Sequence, residues 1–163
     1  MGDHKTKGIS DQLLKSWIRC RRQAWLDIYG DRKKRVWTAH KTLQLNHQNK
    51  SFASLKTESF GIGVKGCKEG KNTVHGLPIE SIHDSGLILQ VNLPLIKKIP
   101  GESVWGEFSY IPVIARQGKK LTREHRLTLA IQGLLLGQLQ KSQVTQGLAI
   151  SERYKFVESQ KVI

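Results

Sequence analysis

The sequence predicts a fold of the α/β or α+β class, because a buried strand leads through a short turn into an amphipathic helix. Phe108 to Ala115 is almost entirely apolar, as in a strand that is covered on both faces. A basic turn follows from Arg116 to Lys120, and Thr122 then stands where a helix N-cap belongs, with Glu124 in the first turn. The predicted apolar face of this helix comprises Leu127, Ile131, Leu134, Leu135 and either Gln138 or Leu139. In such a unit we expect function at the corner where the strand ends and the helix begins.

Net charge is the most informative feature of the composition. The chain of 163 residues carries 27 Lys plus Arg against 13 Asp plus Glu, which gives a formal charge of +14. An excess of this size attracts polyanions, so nucleic acid is the first partner to consider. The alternative is a solubilising surface, or a ribosome-associated protein without specific chemistry. The hydrophobic content of 38% is typical of a folded domain.

Cysteine usage and hydropathy bear on the compartment. Cys20 and Cys67 are the two cysteines, and neither belongs to a CxxC pair, so a disulfide framework is not expected. The first ten residues are polar, and no apolar run approaches the length of a membrane span. The sequence therefore predicts a cytoplasmic protein with no membrane segment.

The elements before the central unit begin with a polar tail over residues 1–9, and residues 10–163 are predicted to form a single domain. Ser10 is a suitable N-cap for a helix that runs to Tyr29 and stops at Gly30. The apolar face predicted for this helix comprises Leu13, Leu14, Trp17, Ile18, Trp25 and Ile28.

Basic residues are concentrated between Arg19 and Arg35, where Asp27 and Asp31 are the only acidic residues. A solvated helix surface explains part of this run. The sequence RKKR at its end favours a surface that faces phosphates.

The remaining elements carry weaker signals. Val36 to Leu45 is predicted to be a second helix, which carries Trp37 and His40. Short strands are predicted at Gly61 to Cys67, Thr73 to Leu77 and Leu87 to Leu93. A closing strand is predicted from Gly147 to Val157, with Leu148, Ile150, Tyr154 and Phe156 as its apolar members.

Several catalytic and binding patterns are missing from the sequence. The six histidines form no HExxH motif and have no paired spacing with cysteine, so nothing in the sequence indicates zinc. Gly61 and Gly63 lack the third glycine of a dinucleotide-binding fingerprint, and Ser85 lacks the flanking pattern of a nucleophile elbow.

Two stretches resemble a known family. LLKSWIRCRRQAWLDIYGD, from Leu13 to Asp31, resembles the first helix of RecB-like nucleases. NLPLIKKIPGESVWGEFSYIPVIARQGKK, from Asn92 to Lys120, resembles the catalytic hairpin of the PD-(D/E)XK nuclease superfamily. The chain is identified by this resemblance as a degenerate RecB-like member that is either short or truncated. If it is truncated, the domain is incomplete at the C-terminus. The resemblance implies a restriction-endonuclease-like core with a small mixed sheet flanked by helices.

Members of that family hold a divalent metal with two carboxylates and place a lysine two residues after the second one. By resemblance, these positions are Leu95, Ile114 and Arg116 in this chain, so both metal ligands are aliphatic while the cation is retained. An aliphatic group cannot coordinate a hard cation. The glutamine usual on the following helix is replaced by Thr128 at the best-matching position. Cys20 matches the first iron–sulfur cysteine, but nothing after Cys67 supplies the other ligands, which favours a packed thiol at Cys20.

Together these observations predict a nucleic-acid-binding pseudo-nuclease without a metal or other cofactor, with DNA favoured over RNA. An active nuclease, dependent on Mg²⁺ or Mn²⁺, is the first alternative, with Glu124 and either Glu107 or Asp84 as relocated acids. A structural subunit that binds an acidic protein partner is the second. A protein partner that completes the domain is a separate expectation. The predicted nucleic-acid-binding residues are Arg21, Arg22, Lys33, Lys34, Arg35, Arg116, Lys119, Lys120, Arg123 and Arg126.

Overall fold

A mixed β-sheet flanked by helices forms the fold, which confirms the predicted α/β class. The computed structural model describes residues 8–36, 38–53, 55, 59–118, 120–151 and 158–161. In these residues seven strands belong to one sheet. The strands are β1 (Ile9–Ser10), β2 (Phe60–Ile62), β3 (Thr73–Ile82), β4 (Ile88–Ser103), β5 (Gly106–Ala115), β6 (Gln146–Ile150) and β7 (Glu158–Lys161). The helices are α1 (Asp11–Arg19), α2 (Arg21–Tyr29), α3 (Ala39–Ala53), α4 (Gly63–Lys68) and α5 (Arg123–Gln140), with a short 3₁₀ turn at Arg32–Lys34.

The sheet follows the order β2-β3-β4-β5-β6-β7, with β1 pairing separately on β4. β3, β4 and β5 form an antiparallel meander, whereas β2 pairs parallel to β3 and β6 parallel to β5. β4 pairs with β5 from Leu95 onward, and β1 pairs with its earlier residues Leu89 and Gln90. The first residues of the chain's described part therefore extend the sheet along the portion of β4 that β5 leaves uncovered.

The central strand-to-helix unit is present as predicted. β5 has six consecutive buried residues, from Ser109 to Ile114, and side chains from both of its faces belong to hydrophobic clusters. Thr122 is the N-cap of α5, and its side-chain oxygen accepts a hydrogen bond from the backbone of His125. The predicted apolar face of α5 was partly wrong, since Leu134 is 55% exposed. The residues of α5 that are buried are Thr128, Leu129, Gln132, Gly133, Leu135, Leu136 and Gln140.

Gln140, at the end of α5, completes the hydrogen bonding of β5. β6 pairs with β5 only from Val113 to Ala115, so Tyr110 has no strand partner on that side. The side-chain amide of Gln140 replaces the strand there: the Tyr110 N–H donates to Oε1 at 2.9 Å, and Nε2 donates to the Tyr110 carbonyl at 3.2 Å. Both groups of Gln140 are buried, so these bonds fix the end of the helix to the middle of the sheet.

The predicted single helix from Ser10 to Tyr29 is two helices, which corrects the sequence analysis. Ser10 is the N-cap of α1 as predicted, and Gly30 follows α2 as predicted. Cys20 adopts an extended conformation (φ −161°, ψ 117°) and separates them. Because the chain changes direction at Cys20, the apolar positions of the two halves no longer share one face. Cys20 is exposed and not packed, so that prediction was also wrong, and Cys67 is the buried cysteine.

The stretch predicted as a strand from Gly61 to Cys67 is mostly helical. β2 ends at Ile62, and α4 follows at once. Gly61 and Gly66 approach so closely that a Cβ atom on Gly66 would lie 2.9 Å from the Gly61 backbone. Glycine at both positions therefore permits α4 to pack against β2, a contact that strand periodicity does not reveal.

Other boundaries differ in length. The strands predicted at Thr73 to Leu77 and Leu87 to Leu93 are present but continue to Ile82 and Ser103, and the helix predicted at Val36 to Leu45 is α3. The predicted tail over residues 1–9 includes Ile9, which belongs to β1. The described residues do not include four for which the sequence predicted a role, namely Trp37, Lys119, Tyr154 and Phe156. In the described part of the chain, none of the helices has the length and apolar character needed to span a membrane.

Candidate nucleic-acid interface

An ion pair between α1 and α5 builds the predicted corner. Arg19, the last residue of α1, donates from Nε and Nη2 to the two carboxylate oxygens of Glu124, each at 2.7 Å. Planar guanidinium and carboxylate groups that meet through two bonds fix orientation as well as distance. The end of α1, which Cys20 alone separates from α2, is thereby held at the beginning of α5, although the paired residues are 105 positions apart in the chain.

Four exposed arginines lie within three residues of Arg19 or Glu124 in the sequence. Arg21 and Arg22 open α2 immediately after Cys20, and Arg123 and Arg126 occupy the first turn of α5 on either side of Glu124. We call these four residues the α2–α5 corner. Within the described residues no side chain caps the first turn of α2, so its backbone N–H groups add to the positive potential. The arrangement can hold several phosphate oxygens at once.

Arg116 does not belong to this exposed surface, contrary to its inclusion among the predicted phosphate contacts. Its side chain is only 4% exposed at the end of β5, and its Nη1 donates to the Gly118 carbonyl at 3.0 Å. Lys120, the last residue of the turn, is exposed. Of the two predicted basic residues in this turn that are described, Lys120 is therefore the one available to a polyanion.

The basic run Lys33 to Arg35 lies at the other end of α2 from Arg21. The helix α2 has nine residues, of which Arg21 and Arg22 are the first two, and it is roughly 13 Å long at about 1.5 Å per residue. Arg35 is engaged within the protein, because its Nη2 donates to the Asp27 carbonyl at 2.7 Å and lies 3.7 Å from the carboxylate. Lys33 and Lys34 are exposed and remain at the surface.

A row of exposed rings lies along α1 and α2 between the two basic groups, and the sequence patterns did not predict it. Trp17 and Trp25 were predicted to be packed, but they are 53% and 57% exposed, and Tyr29 is 66% exposed. The Arg21 guanidinium lies 5.3 Å from the centre of the Trp17 ring, and the Trp25 and Tyr29 ring centres are 5.4 Å apart. Arg21, Trp25 and Tyr29 are spaced by four residues and so lie on one side of α2. We call Trp17, Arg21, Trp25 and Tyr29 the ladder.

His125 caps α5 in its neutral form. The Thr122 N–H donates to its Nδ1 at 3.2 Å, and its own N–H donates to the Thr122 hydroxyl at 3.2 Å. Burial lowers the pKa of His125, while the neighbouring Glu124 carboxylate opposes that shift and the positive charges of Lys15, Arg116 and Arg19 add to it. A neutral ring keeps the acceptor that the capping box requires.

Acid should therefore weaken the fold through His125. Because its folded-state pKa lies below the unfolded value of about 6.5, protonation favours the unfolded chain, and unfolding free energy falls as pH drops through that value. We expect His125→Gln, which retains a side-chain acceptor at this position, to lose this component. Urea unfolding at a series of pH values measures it, with His40→Gln on the exposed part of α3 as control. An unchanged pH dependence in His125→Gln would contradict the assignment.

The two positions matched by resemblance to metal carboxylates lie on opposite faces of the sheet. Leu95 on β4 pairs directly with Val113, so those two side chains share a face. Ile114 is the next residue and projects to the other face, where it packs with Leu129 and Ala149. Both positions are buried, at 0% and 6% exposure. Carboxylates at these two positions could not meet on one ion.

Glu107 and Glu124, suggested together as relocated ligands, are not brought together either. Glu107 is exposed at the start of β5, and the strand from Glu107 to Ala115 spans roughly 26 Å at about 3.3 Å per residue. Glu124 lies at the other end, where it pairs with Arg19, and Asp84 lies in the exposed turn after β3. Across the described ranges, no three His, Cys, Asp or Glu residues form a group that could hold a metal ion.

Comparison with known proteins adds no family to this description: no protein-family model matches the chain, and no curated protein does.

Proposed function

We propose that this protein binds nucleic acid through the α2–α5 corner and does not cleave it by the metal chemistry of RecB-like nucleases. The observation that carries the proposal is the Arg19–Glu124 ion pair, because it joins two distant parts of the chain that each carry two exposed arginines next to the pair in sequence. The formal charge of +14 supplies the long-range attraction, and the corner supplies directed donors.

The relationship to RecB-like nucleases is part of this proposal, and its support is the sequence resemblance together with the mixed sheet. The proposal that cleavage is lost has separate support. Leu95 and Ile114 are aliphatic, they project to opposite faces, and Glu107 and Glu124 stand at opposite ends of β5. Mg²⁺ gives up its water ligands reluctantly, so a site without converging carboxylates has little to offer it.

Salt dependence provides the test. If the four corner arginines each contact a phosphate, affinity for DNA should fall about a hundredfold between roughly 50 and 200 mM salt, because each contact releases counterions. Arg123→Ala with Arg126→Ala should make the slope of log affinity against log salt shallower by about 1.5. Fluorescence anisotropy with short labelled strands and duplexes measures both quantities.

The matched control removes two lysines elsewhere. Lys65→Ala with Lys68→Ala makes the same charge change on α4, which packs against β3 and the edge strand β2. We expect this pair to leave the slope nearly unchanged. An absence of binding at low salt, or equal effects of the two double variants, would overturn the proposal. Mg²⁺-dependent cleavage that disappears in Glu124→Ala would replace it with the enzyme alternative.

A further inference from the structure

We infer that the ladder binds the unpaired bases of a single-stranded nucleic acid, which stack on its rings while the neighbouring basic residues hold the phosphates. This inference rests on the proposed function and specifies its ligand. It comes from the exposed rings of Trp17, Trp25 and Tyr29, which lie on the helices that lead to and carry Arg21 and Arg22. The ladder and the corner share Arg21, so one strand can reach both.

The ladder is displayed by the way α2 packs. Ala24, on another side of α2, is 2% exposed and faces the protein. Ser16 of α1 is 1% exposed, and its hydroxyl donates to the Asp27 carboxylate at 2.5 Å, which fixes the angle between the two helices. With these contacts in place, Trp25 and Tyr29 project outward. Exposed neighbouring rings of this size indicate a surface that another molecule covers.

The charge around the ladder identifies the kind of molecule. Arg21 and Arg22 stand at one end of α2, and Lys33 and Lys34 stand at the other, all of them exposed. The carboxylate of Asp27, the acidic residue within α2, accepts a hydrogen bond from the Ser16 hydroxyl and pairs with the Arg35 guanidinium at 3.7 Å. The occupant must therefore combine negative charge along its length with flat apolar faces at short intervals. Single-stranded nucleic acid has both properties, and proteins bind it by stacking its bases on aromatic side chains beside a positive groove.

The strand should be single because a duplex hides the required surface. In a duplex the faces of the bases are covered by their neighbours, and only base edges and phosphates are accessible. Trp25 and Tyr29 would then have no face to stack on. Arg21, which already lies over the Trp17 ring, can stack on a base and contact its phosphate with the same planar group.

Three ligands of equal length separate stacking from charge: an intact DNA strand, its duplex, and a strand of abasic sites. The abasic strand retains the phosphates and lacks the rings. We expect the intact strand to bind about tenfold more tightly than the abasic strand, as the loss of one or more base stacks predicts. Trp25→Ala should weaken the intact strand by about the same factor and leave the abasic strand unchanged. Trp25→Phe should recover most of the affinity.

Controls make the failures distinguishable. Leu43→Ala removes an apolar side chain that is 58% exposed on α3, and it should change no affinity. If none of the three ligands binds at low salt, the proposed function fails. If all three bind alike, or if Trp25→Ala weakens all three equally, the corner binds phosphates and the inference about the ladder is wrong. Displacement of the intact strand by polyglutamate at equal charge would also overturn it, since it would show that charge alone is recognised.

Discussion

Replacement of Leu95 by Asp should leave the protein largely unfolded at 25 °C. Leu95 is fully buried on β4, between His75 of β3 and Val113 of β5. Loss of its packing costs about 2–5 kcal/mol, and burial of an unpaired carboxylate adds several kcal/mol more. Since small domains are stable by about 5–15 kcal/mol, the sum approaches or exceeds the whole stability. Ile114→Asp should have a similar effect, because Ile114 is 6% exposed.

The same substitutions test whether positions 95 and 114 can hold a metal together, as the nuclease resemblance implies for its members. If positions 95 and 114 once held a metal together, Mg²⁺ or Mn²⁺ should rescue the double variant Leu95→Asp with Ile114→Asp by pairing with its two carboxylates. Because the two side chains project to opposite faces, we expect no rescue. Far-UV circular dichroism of the double variant with and without each metal measures any recovered folding, and Ile82→Asp is the control because Ile82 is 68% exposed. A stabilisation by metal that Ile82→Asp does not show would refute the placement of the two positions.

The parts of the fold that sequence reasoning predicted are those governed by local patterns. β5 was predicted because six buried residues in succession leave an apolar run, and the start of α5 was predicted because Thr122 has the chemistry of an N-cap. The stop at Gly30 follows from the same kind of signal. In each case the residues that determine the structure are adjacent in the chain.

The parts that were missed depend on which side of an element is covered. Trp17 and Trp25 have helical spacing, and periodicity assigns them to a buried face. The break at Cys20 rotates the two halves relative to one another, and the Ser16–Asp27 hydrogen bond sets an angle that leaves both rings exposed. The helix at Gly63–Lys68 was missed for a related reason, since it depends on the close approach of Gly61 and Gly66.

The candidate site was predicted in composition but not in arrangement. Arg21, Arg22, Arg123 and Arg126 were expected to bind phosphate, and they are exposed. Glu124 was considered as a metal ligand, but it binds Arg19, a pairing between residues 105 positions apart that no local pattern encodes. Burial of Arg116 follows from its place at the end of the sheet, which the sequence of the turn does not reveal.

The second large effect is expected from Gln140→Ala, which should lower the free energy of unfolding by about 2–5 kcal/mol. The substitution removes both partners of the Tyr110 backbone, and each buried group left unpaired costs about 1–3 kcal/mol. Water cannot easily replace the amide, since Gln140 is 1% exposed and the Tyr110 side chain is fully buried. The loss of unfolding free energy therefore measures how much the contact between the end of α5 and the unpaired part of β5 stabilises the fold.

Urea unfolding of Gln140→Ala and of Gln138→Ala separates this effect from a general change in the helix. Gln138 is exposed two residues earlier on α5, so the two substitutions change helix propensity alike. We expect Gln138→Ala to remain within about 0.5 kcal/mol of the original protein. Hydrogen exchange gives an independent readout, because the Tyr110 amide should lose protection in Gln140→Ala while the Val113 region, which β6 pairs, retains more of it. Equal stability of the two variants would show that Gln140 is not a strand substitute, and that the edge of β5 is satisfied in another way.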